Sequence, residues 1–336
     1  MFFFNTVLTV ITFIAYVLPF LAPKLFPFLS VFTLVLPLLL VLNFLFFMYW
    51  LLQAKKQMLL SGLVLLLGIT FVSKFYRFSS DKQPEDNTDF TVMSYNVRMF
   101  NIYEWIKDDT LVPQKIAYFV KEKDPDIVCL QEYASGGDGL FKQFKNSYIF
   151  KEEGKTAQAV FSKYPIINKG AIDFPKSANN VIFADIKKGN DTLRVYSMHL
   201  QSIKISPDIH EKIDEEKSKV IFRRISDAFK EQQLQAEMIQ KHKSECHYPM
   251  IICGDLNNSA FSYVYRSVRG EMNDSFEEAG NSFGKSYNYR YYPARIDYIF
   301  ADDTLDIKEF KTYNRFINSD HFPIMSRLGF VKKEKE

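Results

Sequence analysis

The sequence predicts a mixed α/β domain preceded by three membrane-spanning helices, and two observations lead to this prediction. First, residues 1–80 contain five basic side chains, no acidic one and three long uncharged apolar stretches. Second, short β-like runs alternate with helical segments through most of the remaining chain. Such alternation is typical of α/β domains, and the roughly 245 residues left are within the size of one domain.

The three apolar stretches occupy residues 2–22, 25–54 and 57–73. Each approaches the ~20 apolar residues that cross ~30 Å of hydrocarbon. A cleaved signal peptide fits poorly, because no Lys or Arg precedes the first stretch and two further stretches follow it. We therefore expect residues 1–78 to form a three-helix transmembrane anchor in an integral membrane protein.

Basic residues around the spans give conflicting information on orientation. Lys55 and Lys56, in the loop before the third span, favour a cytoplasmic loop and hence an extracytoplasmic C-terminal domain. Lys74, Arg77 and Lys82, after the third span, favour the opposite arrangement. Taken together, these residues slightly favour an extracytoplasmic C-terminal domain.

A polar segment separates the anchor from the rest of the chain. Residues 79–89 read SSDKQPEDNTD, which is charged and interrupted by proline and therefore predicts a linker. The domain is expected at residues 90–332. Within it, residues 215–243 predict a long helix with one apolar face. That face comprises Val220, Ile221, Ile225, Phe229, Leu234, Met238 and Ile239.

Polar side chains fall where several predicted strands meet a loop. They are Asn96 after VMSY, Glu132 after IVCLQ, His199 after VYSM, Asp255 and Asn257 in GDLN, and Asp320 and His321 before FPIM, while Asp297 lies inside RIDYIF. Any one of them is more often a turn former, a cap or a surface residue than a ligand. Several together, all donors that suit Mg²⁺ and phosphate, predict a functional site.

Seven blocks of the sequence closely resemble the endonuclease/exonuclease/phosphatase superfamily, and they occur in that family's order. They are SYNVRMF, DPDIVCLQE, AVFSKYPI, YSMHLQS, GDLNN, RIDYIF and SDHFPI, within residues 93–324. The resemblance implies a four-layer α/β sandwich, in which two facing mixed sheets are flanked by helices. A membrane-anchored bacterial member resembles the chain best, which implies a bacterial inner membrane.

The same resemblance implies a metal site and a water-activating residue. Glu132 corresponds to the main Mg²⁺ ligand, with Asn96 beside it and Asp320 close to the metal; Mn²⁺ is the alternative ion. The metal would polarise the phosphoryl oxygen and stabilise the leaving oxygen. Asp255 would orient or deprotonate the attacking water.

Further roles follow for the residues that face the phosphate. Asn257 would donate an amide N–H to the phosphate from the face of the extended strand end that Asp255 also occupies. Arg98 would contact substrate phosphate. His321 and Asp297 would form a pair in which the carboxylate favours the protonated ring, facing a dianionic transition state. His199 is a candidate general acid.

The function that these residues predict is a membrane-anchored, Mg²⁺-dependent phosphoester hydrolase of the nuclease-like phosphodiesterase type. A phospholipid, sphingolipid or phosphoinositide headgroup hydrolase of the same fold is an alternative, as is a non-catalytic binding module. The module would be expected to have lost site residues, and none is missing from the sequence. No protein partner follows from the sequence.

Two features bear on whether the substrate is nucleic acid or lipid. Beyond residue 80 the chain carries 37 basic and 39 acidic side chains, which argues mildly against binding nucleic acid by charge. The aromatic side chains of SYNYRYYPARIDY are best interpreted as ordinary strand packing, and stacking on bases or contact with lipid are the alternatives. The substrate therefore stays open at this point.

Overall fold

The computed structural model describes residues 1–78, 83–203, 215–290 and 292–331. Residues 79–82 of the predicted linker, including Lys82, lie outside the described residues, as does residue 332 at the predicted end of the domain.

The regular elements alternate in the predicted manner after an all-helical start. The helices are α1 (Phe2–Val17), α2 (Pro27–Ser30), α3 (Leu36–Leu52), α4 (Met58–Leu67), α5 (Ile69–Phe75), α6 (Val112–Lys123), α7 (Glu215–Ser244), α8 (Tyr263–Arg269) and α9 (Ser275–Ala279). The strands are β1 (Phe90–Asn96), β2 (Ile127–Gln131), β3 (Asn146–Phe150), β4 (Gln158–Ser162), β5 (Ile166–Asp173), β6 (Asn180–Lys188), β7 (Asp191–His199), β8 (Met250–Asp255), β9 (Asn273–Asp274), β10 (Asp297–Ala301), β11 (Leu305–Thr312) and β12 (Ile324–Phe330).

Two helices among the described residues are long and apolar enough to cross a membrane, and they span Phe2–Phe20 and Pro27–Leu52. The third predicted span is divided between α4 and α5, which are bent by 59° relative to one another. It counts as a third span only if this bent pair is taken as one. The N-terminal helices thus fit the predicted anchor.

Polar contacts hold the N-terminal helices together. The Asn5 amide donates to the Ser61 hydroxyl at 2.9 Å, and its oxygen accepts the Trp50 indole N–H at 3.1 Å. The Asn43 amide donates to the Thr12 hydroxyl at 2.9 Å. Hydrogen bonds between helices stabilise their association in an apolar environment by about 0.6–2 kcal/mol each. These contacts tie α1 to α3 and α4, so the three segments form one bundle.

One end of this bundle rests on the second half of the chain. The Lys24 backbone N–H donates to Gln233 of α7 at 2.8 Å. Phe28 stacks on Phe222 of α7, with ring centroids 5.8 Å apart. The connection between the first two spans therefore contacts α7.

The strands form two mixed six-stranded sheets. The first has the order β11-β12-β1-β2-β4-β3 and the second has the order β5-β6-β7-β8-β10-β9. Each sheet contains one parallel pair, β1 with β2 and β7 with β8, while the other pairs are antiparallel.

The two sheets face one another across a shared apolar core and are covered by helices on their outer faces. Val92 and Cys129 of the first sheet pack into the same cluster as Val195 and Ile251 of the second. Helix α6 packs on the outer face of the first sheet, and α7 and α8 pack on that of the second. The predicted four-layer sandwich of two mixed sheets and flanking helices is confirmed.

The inward face of α7 matches the predicted one in part, since Ile225, Phe229 and Ile239 are buried. Val220 and Leu234 are 56% and 44% exposed. Gln232 is buried instead, and its amide donates to the carbonyls of Gln201 at 2.7 Å and Asn257 at 3.1 Å. This part of α7 covers the ends of two loops, whose buried carbonyls need hydrogen-bond donors. The Gln232 amide supplies these donors, and an apolar side chain could not.

The described end of the predicted linker lies against the first sheet. Asp89 forms ion pairs with Lys308 at 2.7 Å and Arg327 at 2.6 Å. The Arg327 guanidinium also donates to the carbonyls of Gln83 and Pro84. Residues 83–89 are thereby held on β11 and β12.

Candidate active site

The strand register brings the predicted site residues to one edge of the sandwich. Asn96 is paired with Gln131, so that Glu132 follows beside it at the end of the first parallel pair. Asp255 is paired with His199 of β7 on one side and with Asp297 of β10 on the other. The carboxyl ends of neighbouring parallel strands share an edge, which is the usual location of sites in α/β sheets.

The Asn96 amide joins the two sheets at this edge. Its Nδ2 donates to Glu132 Oε1 at 3.2 Å in the first sheet and to Asp255 Oδ2 at 3.1 Å in the second. Its oxygen accepts the Arg98 backbone N–H at 3.0 Å. The second lone pair of this oxygen remains for a further contact, such as a metal ion.

Glu132 lies immediately after β2 in a left-handed backbone conformation, with φ of +50°. A non-glycine residue rarely adopts this conformation, and such strain is found preferentially at functional sites. The Glu132 side chain is 24% exposed, whereas that of Asp255 is only 1% exposed. Glu132 is thus the carboxylate that solvent and ions can reach.

Asp255 is held by the turn that follows its strand. Its Oδ1 accepts the Asn257 backbone N–H at 2.8 Å, and its Oδ2 accepts the Asn257 side-chain amide at 3.1 Å. Asn257 has φ of +52°, so the expectation that it continues an extended strand end is wrong. Asn tolerates this conformation, and the turn rather than the strand brings its amide to Asp255.

Burial raises the pKa of the Asp255 carboxyl to about 8, and the Asp297 charge adds to this while His321 opposes it. Burial therefore favours the protonated form of this carboxyl, and the cationic His321 ring favours the charged form. A metal ion nearby would also favour the charged form, because a bound cation is often the largest local charge in a site.

His321 and Asp297 form the predicted pair. The Nδ1 atom of His321 lies 2.9 and 3.1 Å from the two Asp297 oxygens, and Nε2 lies 3.6 Å from Asp255 Oδ2. Burial lowers the pKa of His321, but the charges of Asp297 and Asp255 outweigh burial and raise it well above its ordinary value. The ring is therefore cationic, with Nδ1–H donated to Asp297 and Nε2–H facing the site.

His199 is the opposite case, since its ring is neutral. Burial lowers its pKa, and the nearby Glu132 charge only partly compensates. Its Nε2 lies 3.5 Å from Glu132 Oε1 and 3.8 Å from Asp255 Oδ2. Among the described residues, neither ring nitrogen has a hydrogen-bond partner. Buried polar atoms are normally satisfied, so the site fits a ligand that meets this ring.

Arg98 and Asp320 are brought together. Arg98 Nε lies 3.3 Å from Asp320 Oδ2, and its guanidinium lies 4.3 Å from the Trp105 ring centroid. Asp320 also accepts a hydrogen bond from the Ser319 hydroxyl at 3.2 Å. The phosphate contact of Arg98 and the metal contact of Asp320 stay predictions. Trp105, which stacks on Arg98, was not among the predicted site residues.

Buried polar residues beneath the site were also missed. Gln131 donates to the Ser197 hydroxyl at 2.9 Å, and Ser197 donates in turn to Gln158 at 2.7 Å, which links the two sheets. The Ser319 hydroxyl donates to the Asn96 backbone carbonyl at 2.9 Å and accepts the His321 backbone N–H at 3.2 Å. The only signal in the sequence was a polar residue directly before a site residue in an apolar run, as in LQE.

Two sets of donors compete as the metal site. Asp255, Asp297 and His321 present ligand atoms within 4.8 Å of one another. However, the His321 ring is cationic and bound to Asp297, so it has no lone pair to give to a metal. Glu132 with Asn96 offers the oxygen donors that a hard divalent cation prefers, together with solvent access for its waters. We favour this second set.

Gly254, directly before Asp255, gives a first testable prediction. Its φ is +132°, and a Cβ there would lie 2.0 Å from the Met198 carbonyl oxygen. We expect Gly254→Ala to lower the free energy of unfolding by more than about 4 kcal/mol, the range of severe single substitutions. Thermal or denaturant unfolding measures this.

Gly189 is the matched control for this substitution. It has φ of +62°, and a Cβ added there would meet no atom of the described residues within 4 Å. Gly189→Ala should therefore cost only the backbone strain, about 1–2 kcal/mol. Equal losses in the two variants would contradict the close approach of β7 and β8 at Gly254.

The fold and the edge site together define a phosphoesterase architecture. Residues 93–321 match the family model described as endonuclease/exonuclease/phosphatase family, and the chain belongs to that family. Its members are phosphoester hydrolases. Residues 1–75 match the model of a domain of unknown function. No curated protein matches the chain.

Solved structures of this family share the fold at low sequence identity. A family protein from Bacteroides thetaiotaomicron is 19% identical with a TM-score of 0.53, covering 74% of this chain and 100% of its own. D. rerio TDP2 complexed with a single-strand DNA product is 16% identical with a TM-score of 0.53, covering 72% and 100%. The human Nocturnin catalytic domain with bound sulfate is 17% identical with a TM-score of 0.54, covering 75% and 97%.

Proposed function

We propose that this protein is a membrane-anchored phosphoester hydrolase that depends on Mg²⁺, with Mn²⁺ as an alternative ion. The observation that carries the proposal is the bridge from Asn96 to Glu132 and Asp255, at 3.2 and 3.1 Å, flanked by two histidines. This bridge brings the accessible carboxylate of Glu132 and the buried carboxylate of Asp255 together. The cationic His321 ring and the neutral His199 ring lie beside them. Hydrolysis of a phosphoester requires groups of these kinds.

The residues at the edge of the first sheet fit a divalent cation. Glu132 and Asn96 would hold it, with Asp320 nearby, and the unpartnered His199 ring beside Glu132 marks room for a ligand. When bound, the ion would polarise a phosphoryl oxygen and lower the pKa of neighbouring acids.

Asp255 is assigned to the attacking water. Its two oxygens are fixed by Asn257, so the carboxylate presents a constant direction to the site. The water oxygen forms a bond to phosphorus, its proton passes to Asp255, and the ester P–O bond breaks. The Asn257 amide donates to Asp255 Oδ2 at 3.1 Å and to the Leu200 carbonyl at 3.0 Å, so its proposed contact with the phosphate requires one of these hydrogen bonds to break.

The two histidines take different roles because their charges differ. His321, cationic through Asp297, directs Nε2–H at the charge that develops on the phosphoryl oxygens. His199 is neutral, so it can donate one hydrogen bond to the phosphate from its single N–H. To act as the general acid that protonates the leaving oxygen, the ring would first have to take up a proton. Arg98, held by Asp320 and Trp105, lies at the rim where a second phosphate of a longer substrate would fit.

The N-terminal bundle is proposed as the membrane anchor at residues 1–78, followed by a linker at 79–89 and the catalytic domain at 90–332. A bacterial inner membrane and an extracytoplasmic catalytic domain are proposed with it. Hydrogen bonds of Trp50 and Ser61 with Asn5 support this orientation, because they place the intervening Lys55–Lys56 loop at the end of the bundle that begins with α1. The opposite end contacts α7.

Metal dependence gives the second prediction. EDTA should abolish hydrolysis of bis(4-nitrophenyl) phosphate by the full chain, and Mg²⁺ should restore it. Glu132→Gln keeps the shape but loses the charge, so the Mg²⁺ concentration for half-maximal activity should rise at least ~10-fold. Steady-state rates across a Mg²⁺ titration measure this.

Glu153→Gln is the matched control, since Glu153 is an exposed carboxylate in a loop. Its Mg²⁺ concentration for half-maximal activity should equal that of the wild type. A Glu132→Gln variant with an unchanged titration would contradict the assignment of Glu132 to the metal.

A further inference from the structure

A cavity of about 160 Å³ lies between the N-terminal bundle and the catalytic domain. Its apolar lining comes from both parts of the chain. The residues are Leu34 and Phe75 from the bundle and Ile203, Phe261, Phe283 and Tyr292 from the catalytic domain. Lys74, Arg295 and Ser259 also line the cavity, so its walls are mostly but not wholly apolar. Apolar walls around a space of this size suit a small hydrocarbon group.

Direct contacts fix the position of α5 against the catalytic domain. Phe75 packs against Phe283 and Tyr292, with ring centroids 5.1 and 6.0 Å apart. Just beyond α5, the backbones of Arg77 and Ser282 exchange two hydrogen bonds of 2.9 and 2.8 Å. The cavity is therefore bounded by packed elements on both sides.

The polar wall of this cavity is part of the active-site edge. Asn257 and Asn258 line it, as does Ile296, which precedes Asp297. The Asn257 amide that lines the cavity donates to Asp255 Oδ2 at 3.1 Å. A molecule seated at Asp255 would thus have an apolar space directly beside its phosphate.

We propose that this cavity binds a hydrocarbon segment, and that the substrate is a phosphoester lipid whose chain enters between α5 and the catalytic domain. This inference rests on the proposed hydrolase function and adds the substrate class to it. Burial of hydrocarbon is favourable by roughly fourfold in binding per methylene, whereas a sugar gains little from such walls. Two walls come from the membrane anchor, where lipid chains are at hand.

The test compares two phosphodiesters with the same leaving group, methyl 4-nitrophenyl phosphate and hexyl 4-nitrophenyl phosphate. In each, water adds to phosphorus, the P–O bond to the nitrophenyl group breaks, and nitrophenolate is released. We expect the full chain in nanodiscs to show a kcat/KM at least ~10-fold higher for the hexyl ester, since several methylenes are buried.

Leu34→Trp should fill the cavity and bring the hexyl-to-methyl ratio of kcat/KM well below the wild-type value. Leu38→Trp is the matched control, because Leu38 belongs to the same span but is 55% exposed on the outside of the bundle. It should keep the wild-type ratio. Both variants share any enrichment of the hexyl ester in the bilayer, so their difference isolates the cavity. Unfolding temperature confirms that each variant folds, and Leu34→Phe replaces Leu34→Trp if it does not.

The outcomes separate this inference from the function on which it rests. A wild-type enzyme that hydrolyses both esters with equal kcat/KM would overturn the lipid proposal alone and favour a water-soluble phosphoester, such as nucleic acid. A hexyl preference as large in Leu34→Trp as in Leu38→Trp would also overturn it, since the cavity would not be its source. Hydrolysis of neither ester, with Mg²⁺ present, would overturn the proposed function and the inference with it.

Discussion

Replacing Asp255 by Asn should lower kcat for bis(4-nitrophenyl) phosphate by about 10²–10⁴-fold, the usual contribution of a positioned proton acceptor. The amide has the same shape and can still accept the Asn257 N–H, but it cannot take a proton from water. KM should change little, because Asp255 is assigned to the water rather than to substrate binding. Steady-state kinetics at saturating Mg²⁺ measure both constants.

The fold should survive this substitution for a reason that the structure supplies. Burial raises the pKa of Asp255 to about 8 and so disfavours its charged form, and a neutral Asn side chain avoids this cost of burial. Asp138→Asn is the control, since Asp138 is 49% exposed and pairs with Lys151 at 2.8 Å away from the buried cluster. A fully active Asp255→Asn variant would remove the proposed proton acceptor from the mechanism.

Asp297→Asn should lower kcat by on the order of 10²-fold, near the lower end of acid–base effects. Asp297 acts through His321, whose Nδ1 lies 2.9 Å away, and its charge keeps the ring cationic. An amide can hold the ring in place but cannot supply that charge. The loss should therefore fall on kcat, while KM and the unfolding temperature change less.

The control variant Asp185→Asn tests whether Asp297 acts in catalysis or only stabilises the fold. Asp185 is equally buried in the second sheet and pairs with Arg194 at 2.6 Å, remote in the chain from the site residues of that sheet. Breaking a buried pair costs about 3–5 kcal/mol, so this variant should lose stability and keep kcat. If Asp297→Asn instead lost stability and kept kcat, the pair with His321 would be structural.

Much of the site could be predicted because local patterns determined it. Asn96, Glu132, His199 and Asp255 each end an apolar strand, and strand pairing alone brings such ends to one edge. The two-sheet architecture followed from the family resemblance, whereas the alternation of strands and helices predicted only a mixed α/β domain. These features depend on residues close together in sequence.

The missed features depend on contacts that no local pattern encodes. Gln232 is buried on α7 because two loops present carbonyls to it, and helical spacing predicted apolar residues on that face. Asn257 leaves the strand through a left-handed turn, which the sequence GDLNN permits without requiring. The cavity beside Phe75 is lined in part by α5, which is bent by 59° from α4, whereas hydropathy indicated one continuous span.

The most direct test of the proposed function is the hydrolysis of bis(4-nitrophenyl) phosphate by the purified full-length wild-type protein, with Mg²⁺ and then with EDTA. We expect a release of 4-nitrophenolate that requires Mg²⁺ and is lost in Asp255→Asn. A folded protein that releases none with Mg²⁺ or Mn²⁺, or that releases it equally in EDTA, would contradict a metal-dependent hydrolase and favour a binding module.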